Sequence, residues 1–573
     1  MLKLKRYLLQ YKKHLIIGPF FKWLEAVFEL IIPLVMAQII DVGIAAGDIS
    51  YILKKGGIIL ALSFTGLCFS LICQYAASRA SQGVGTLLRR DLYRHITRLS
   101  MPDIDRLGTS TLITRMTNDI NQLQVAVAML IRLVVRAPFL LIGAIVMAMI
   151  INVKTALIFI ATALAVFAVM YLIMSRTVPY YRRNQSKLDK LSLLTAENLS
   201  GNRVVRAFSR QREEQDDFKE ASEDYAESIT AVGFISALLN PVTSALINLA
   251  IIAVIWFGGI QVNAGSLTQG EVIALINYMT QISLALVVVA NLVVIFTKSA
   301  ASAHRINELF ETKPSVEDIN TNTHLIPVKG APKISFVNAG ITYEGNVAPS
   351  LSGLTIDIEK GETVGIIGGT GSGKTTIVNI LARFYDATEG SVLIDGHPVK
   401  DYPVSQLRSK FGLVLQGTKL FHGSIKYNLT WGNPQADDND VARAVEAAQA
   451  SDFVYSKGLD DTVMQGGKNL SGGQNQRLAI ARALIAKPEI LVLDDSLSAL
   501  DYRTDANLRE AIRGLDKSVT VIIVSQRANS IKYADKIIVM DKGKPVGIGK
   551  HEFLMRTCPV YKEIYDIQSG VTA

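Results

Sequence analysis

Charge is scarce in this chain. Asp, Glu, Lys and Arg make up 19% of its 573 residues, hydrophobic residues make up 49%, and the mean hydropathy is positive. That balance excludes a wholly water-exposed protein and points to a membrane portion joined to a soluble one, in a chain too long for a single core. Cysteine is scarcer still: Cys68, Cys73 and Cys558 have no framework spacing, so neither a disulfide scaffold nor a metal cluster is expected. The N-terminal segment MLKLKRYLLQYKK is basic and amphipathic but lacks a small-residue cleavage site, so it does not read as a cleaved signal peptide.

What is abundant is long apolar runs. Six lie before residue 300, at about 15–40, 57–78, 130–151, 155–175, 233–262 and 271–297. Each reaches the roughly 20 helical residues that cross a hydrocarbon core of about 30 Å. Their connections alternate. The one between the fifth and sixth runs, QVNAGSLTQG, carries no charge, and Asn152 and Lys154 mark the turn between the third and fourth. The two long connections instead carry Arg89, Arg90, Arg94 and Arg98, then Arg203, Arg206, Arg210 and Arg212. The positive-inside rule puts both of these, and both termini, on the cytoplasmic side. Stretches such as QREEQDDFKEASEDYAES keep helical periodicity and read as extensions of the membrane helices. The net charge of +9, from 59 basic against 50 acidic residues, is then largely topological, and no nucleic-acid partner is expected.

Hydropathy collapses at 307–332, a polar, Pro-containing linker. It divides an all-α, six-helix membrane domain with long cytoplasmic extensions (1–306) from a domain of alternating strands and helices (333–573), an α/β pattern. There the strand TVGIIG runs into Gly368, Gly369, Thr370, Gly371, Ser372, Gly373, Lys374, Thr375 and Thr376, which fits G-x-x-x-x-G-K-[ST]. Glycines let the backbone wrap phosphates with N–H groups inward, and the following helix adds its positive end. Lys374 is expected to reach the β- and γ-phosphates of ATP, and Thr375 to ligate Mg²⁺. The buried strand ILVLDD places Asp494 at its C-terminal edge, where a second Mg²⁺ contact belongs. Between them, Leu470-Ser471-Gly472-Gly473-Gln474 opens a helix with Ser at the cap and free backbone N–H groups for an anion.

P-loop, acidic strand end and LSGGQ, in this order and behind six apolar spans, resemble a bacterial type I ABC exporter half-transporter over the whole chain. The resemblance implies an α/β ABC nucleotide-binding domain, with Tyr343 as the adenine-stacking aromatic and Gln416 as the Q-loop glutamine contacting metal and nucleotide. It also implies that Ser498-Ala499-Leu500-Asp501 is the D-loop and that TSTLITRMTNDINQL and ENLSGNRVVRAFSRQ are the two coupling connections. Two halves would pair head to tail in the bacterial cytoplasmic membrane, each ATP held between one P-loop and the other chain's LSGGQ.

Three positions depart from that pattern. The water-polarising Glu expected after Asp494 is Asp495, one methylene shorter, roughly 1.5 Å of reach, and errors near 1 Å can cost on the order of 100-fold in rate. The switch His is Gln526, which can donate a hydrogen bond but cannot carry a proton. Gln465 stands where the family usually has Glu. Drift in a working homodimer is one reading. The one adopted is the degenerate subunit of a heterodimeric multidrug exporter, whose partner carries the catalytic Glu and the switch His. Its substrates would be small hydrophobic or cationic compounds. The alternatives are a homodimeric lipid or peptide flippase and an ATP-gated regulatory subunit; the short linker, with no room for a regulatory insertion, disfavours the last.

Charged residues inside spans are candidates for the transport path. Lys22, Glu25 and Glu29 lie in the first span, Arg132 and Arg136 in the third. The glutamates either form an acidic patch that admits cationic amphiphiles or pair with Lys22 and the arginines of the third span. The pairing is the expectation adopted. Apolar residues such as Phe234, Met279 and Phe296 suit hydrophobic substrates but equally suit lipid contact or packing.

Overall fold

The computed structural model describes residues 5–318, 324–417 and 419–570. Residues 1–4 of the basic N-terminal segment and 319–323 of the expected linker lie outside them. The described residues form two compact units: Met1–Thr97 with Thr109–Thr312, and Arg98–Gly108 with Lys313–Ala573.

The first unit is all-helical, with six helices long and apolar enough to cross a membrane: Lys12–Ile44, Ile49–Ile96, Thr109–Ile151, Val153–Ser200, Gln211–Asn263 and Gln269–Glu311. The 48 residues of the second run for roughly 72 Å at about 1.5 Å per residue, more than twice a hydrocarbon core, so much of each helix projects beyond the bilayer. Side chains that satisfy the free N–H groups of the first turn set where several begin. The Asp48 carboxylate accepts from Tyr51 N at 3.0 Å, and the Asn152 side-chain carbonyl accepts from Thr155 N at 3.1 Å, at the turn where Asn152 was expected. Thr268 and Glu271 cap the last helix reciprocally, and Asp41 of the first span accepts from Gly270 N at 2.7 Å. That helix continues through residues 307–311 because Ile306 and Leu309 are buried.

Packing in this unit relies on small residues, as it must where lipid is as apolar as the side chains. Ala26, Ala144, Ala148, Ala156, Ala250 and Ala274 line the buried seam with Tyr278, whose hydroxyl donates to Leu30 O at 2.6 Å. At Gly143 a Cβ would lie 2.4 Å from Leu30 Cδ1, so a larger residue there requires the end of the Leu30 side chain to shift. The third span is discontinuous: helix Ile120–Arg132 stops, residues 133–135 form a turn, and helix Arg136–Ile151 resumes.

The second unit is α/β. A six-stranded sheet has the order Lys544–Gly549, Lys536–Asp541, Thr363–Gly368, Thr520–Val524, Ile490–Asp494, Phe411–Val414, all parallel except the first. The strands Ile490–Asp494 and Thr520–Val524 are buried at every position, as expected for Val/Ile/Leu runs covered on both faces. A four-stranded antiparallel sheet, Leu351–Ile358, Ile334–Ile341, Glu389–Ile394 and His397–Pro398, shares a core with one face of it, which includes Ile366, Val492, Ile522 and Ile538. Helix Met101–Leu107 belongs to this unit. Its Asp103 is fully buried and accepts from Ser100 N at 3.1 Å, from Ser315 N at 3.0 Å and from both serine hydroxyls. Burial pushes the Asp103 carboxyl up, but these hydrogen bonds outweigh it and hold it below the ordinary range.

Candidate functional site

Sheet register brings the site together. Val524 pairs with Asp494 on one side and with Ile366 on the other, so the three strands end at one edge. The loop after Gly368, the pair Asp494–Asp495 and the segment Ser525–Gln526 all leave from that edge, where ligands of open α/β sheets bind.

The P-loop closes tightly between neighbours. Gly373 has φ +97°, and a Cβ there would lie 2.6 Å from Ser350 O; a Cβ at Gly368 would lie 2.2 Å from Met540 O. Lys374 starts helix Lys374–Leu381 and is only 9% exposed; its Nζ donates to Gly368 O at 3.0 Å and to Gly369 O at 2.6 Å. Burial pulls its ammonium down, partly offset by Asp494 and Asp495.

In front of this loop is a cavity of about 600 Å³, lined by Thr370, Gly371, Ser372, Gly373, Lys374, Thr375, Thr376, Gln416, Asp494, Asp495 and Gln526. The segment from Asn346 to Ser350 lines it as well, a contribution that motif reading missed because nothing in those residues resembles a ligand set.

The donor set suits a cation held beside phosphates. Asp494 is 1% exposed; its Oδ1 lies 3.5 Å from Thr375 Oγ1, and its buried Oδ2 has no hydrogen-bond partner among the described residues. A hard divalent cation takes such oxygens. Burial pushes the carboxyls of both Asp494 and Asp495 up, and Lys374 acts against this at each. Asp495 sits at φ +50°, its N–H donating to Val524 O at 3.0 Å. Gln526 is exposed; its side chain makes no hydrogen bond among the described residues, and its carbonyl accepts from Gln568 Nε2 at 2.7 Å. The next residue, Arg527, was overlooked in the sequence: its Nη2 donates to Ser498 O at 2.9 Å, and its charge pulls the Asp495 carboxyl down. Its adjacency to Gln526 was the available signal.

Other expected residues lie elsewhere. Tyr343 is half-buried, its ring edge-on to Tyr385 at 5.0 Å and its hydroxyl accepting from Asn379 Nδ2 at 3.1 Å; it lines a neighbouring cavity with Asp105 and Arg106. Ser471 caps helix Gly472–Ile485 reciprocally with Gln474, as the LSGGQ string predicts. None of Ser471, Gly472, Gly473 and Gln474 lines the phosphate cavity of this chain. Gly472 instead lines a smaller cavity with Gln416, Asp494, Asp495 and Ala499, and Ala499 N donates to Gln476 Oε1 at 3.2 Å. Asp501 caps helix Tyr502–Arg513 through Arg503 N and Thr504 N, at 3.1 and 2.9 Å.

Two family descriptions match: the ABC transporter transmembrane region over residues 15–312, and ABC transporter over residues 351–498. An uncharacterized ABC transporter ATP-binding protein of Mycobacterium tuberculosis is 37% identical over 547 residues, covering 94% of this chain and 93% of its own length. An ATP-dependent lipid A-core flippase of Vibrio vulnificus is 28% identical over 563 residues, covering 98% and 96%. The solved structure of a bacterial Atm1-family ABC exporter with ATP bound superposes with a TM-score of 0.82 at 23% identity, over 99% of both chains, and shares the fold.

Proposed function

The chain belongs to the ABC transporter family, as a half-transporter that is a multi-pass membrane protein and a transport ATPase. From that premise we propose that it exports hydrophobic or amphipathic compounds across the bacterial cytoplasmic membrane as the weakly hydrolysing half of a heterodimer. One observation carries the proposal: Asp495 and Gln526, both short of the family's chemistry, line the same phosphate cavity as a complete P-loop. The signature of the same chain is intact and does not line that cavity.

In this reading the P-loop amides and Lys374 hold the phosphates of ATP, while Thr375, Gln416 and Asp494 hold Mg²⁺. When bound, the cation neutralises charge on the phosphate oxygens. Asp495 then has to orient a water from a carboxylate one methylene short, and Gln526 has no proton to exchange with the γ-phosphate. This chain binds ATP firmly and cleaves it slowly. Its Ser471–Gln474 segment completes the site of a partner that carries Glu and His at the matching positions. Arginine-rich connections support a topology with both termini in the cytoplasm.

The test is to purify the chain alone and with a co-encoded second half-transporter, and to follow ATP hydrolysis and uphill dye movement in sealed vesicles. Hydrolysis and transport restricted to the mixed pair are expected. Full turnover by the chain alone would overturn the heterodimer and favour the second reading, a homodimeric lipid flippase, which the likeness to the Vibrio vulnificus protein supports.

A further inference from the structure

Of Lys22, Glu25, Glu29, Arg132 and Arg136, the charged residues singled out in the first and third spans, one is unmatched. Lys22 Nζ donates to both Glu25 oxygens at 2.8 Å, and Arg136 Nη2 to both Glu29 oxygens at 3.0 and 2.9 Å. Both carboxylates are therefore engaged, as the pairing expectation holds, and no acidic patch is left for a cation. Cys73 Sγ lies 3.9 Å from Ile131 O, and the next residue, Arg132, is the last of its helix. Arg132 forms no ion pair and no hydrogen bond among the described residues, and its Nε is buried without a partner. Lys22 and Arg136 are thus each matched by a carboxylate, and Arg132 is not.

The backbone beside it is also open. Arg132 ends helix Ile120–Arg132, and in the turn that follows neither Val134 N nor Val135 N finds a backbone acceptor among the described residues. Both valines are 37% exposed. Free amides at membrane depth are tolerated where they line a polar cavity, and interrupted helices with free N–H groups mark anion contacts in transporters. The positive end of helix Arg136–Ile151 faces this turn. A planar guanidinium with free donors suits phosphate or carboxylate oxygens.

We propose that Arg132 and the broken turn after it bind the acidic headgroup, phosphate or carboxylate, of the amphiphile this transporter moves, so that its substrates are anionic. The proposal rests on the export reading above and gives it a substrate class.

The experiment uses the full-length chain, with its partner half, in neutral phosphatidylcholine nanodiscs. Fluorescent single-chain amphiphiles of equal tail length, bearing phosphate, carboxylate or quaternary ammonium, are titrated without nucleotide and then followed for ATP-driven accumulation in vesicles. The native protein should bind both acidic probes about 10-fold or more tighter than the ammonium probe, the size expected of charge-assisted hydrogen bonds. Arg132→Gln should abolish that preference, and Arg132→Lys should retain part of it. A preference for one acidic headgroup over the other identifies the class. Preference for the ammonium probe overturns the proposal. So does an Arg132→Gln protein that keeps its preference, including one that only loosens the subunit pair, which would make Arg132 an interface residue. If accumulation of any probe needs ATP but shows no headgroup preference, the anion site falls and the export reading stands. If the binding preference holds but no probe accumulates, the export reading falls alone.

Discussion

Gln416 Nε2 stands 3.4 Å from Asp495 Oδ2 across the phosphate cavity, a long contact that leaves the carboxylate loosely held at the position where the family carries Glu. A longer side chain there would close the gap to a bound phosphate. Asp495→Glu, combined with Gln526→His, should raise ATP hydrolysis by the purified chain about 10- to 100-fold, the scale set by ångström-level positioning. Steady-state phosphate release checks this; no increase would place the deficiency elsewhere.

Lys374→Ala removes the ammonium that is folded into the P-loop carbonyls. Photolabelling with an ATP analogue, which needs no hydrolysis, should fall about 10-fold or more for this chain, the loss expected of a charge-assisted contact to phosphate. Labelling of the partner should be unchanged.

Asp494 is a buried carboxylate whose ionisation burial disfavours, so it titrates above its ordinary value in the folded chain. Between the two values the folded state keeps a proton that the unfolded state has lost, so this residue's contribution to stability falls as pH rises through that window. Without nucleotide or Mg²⁺, Asp494→Asn should therefore unfold a few degrees higher at neutral pH, on the order of 2–4 °C per kcal/mol relieved. The difference should vanish below about pH 4, where the unfolded carboxyl is also protonated. Calorimetry across that pH range checks the sign.

Ser471→Ala removes the acceptor for Gln474 N and should destabilise the start of helix Gly472–Ile485 by about 1 kcal/mol. In the mixed dimer, hydrolysis should drop while ATP labelling of this chain stays intact. Loss of that labelling instead would contradict a signature that serves the partner's site.

Gly143→Val inserts a side chain where a Cβ already meets Leu30 Cδ1 at 2.4 Å. Overpacking of this kind costs about 1–3 kcal/mol. Leu30→Ala in the same chain should recover part of the loss in a detergent melt, which would identify the contact itself as the cause.

The six spans, the P-loop, the acidic strand end and the capped LSGGQ helix were legible because each is a local pattern: apolar length, glycine spacing, a Ser–Gln cap. The register that aligns Val524 with Asp494 and Ile366 is not local, and with it came the lining by Asn346 to Ser350 and the position of Arg527. The break after Arg132 was equally hidden, since Leu133, Val134 and Val135 are as apolar as any continuous span. The fate of Glu25 and Glu29 depended on which partners helix packing supplied, and it supplied Lys22 and Arg136.

Asp103 has one more consequence. Residues 98–108 lie in the sequence between the second and third spans, yet Ser315 locks them into the nucleotide-binding unit through a fully buried carboxylate. Ser100, Asp103 and Ser315 therefore fold as one piece although Asp103 and Ser315 are 212 residues apart in the chain.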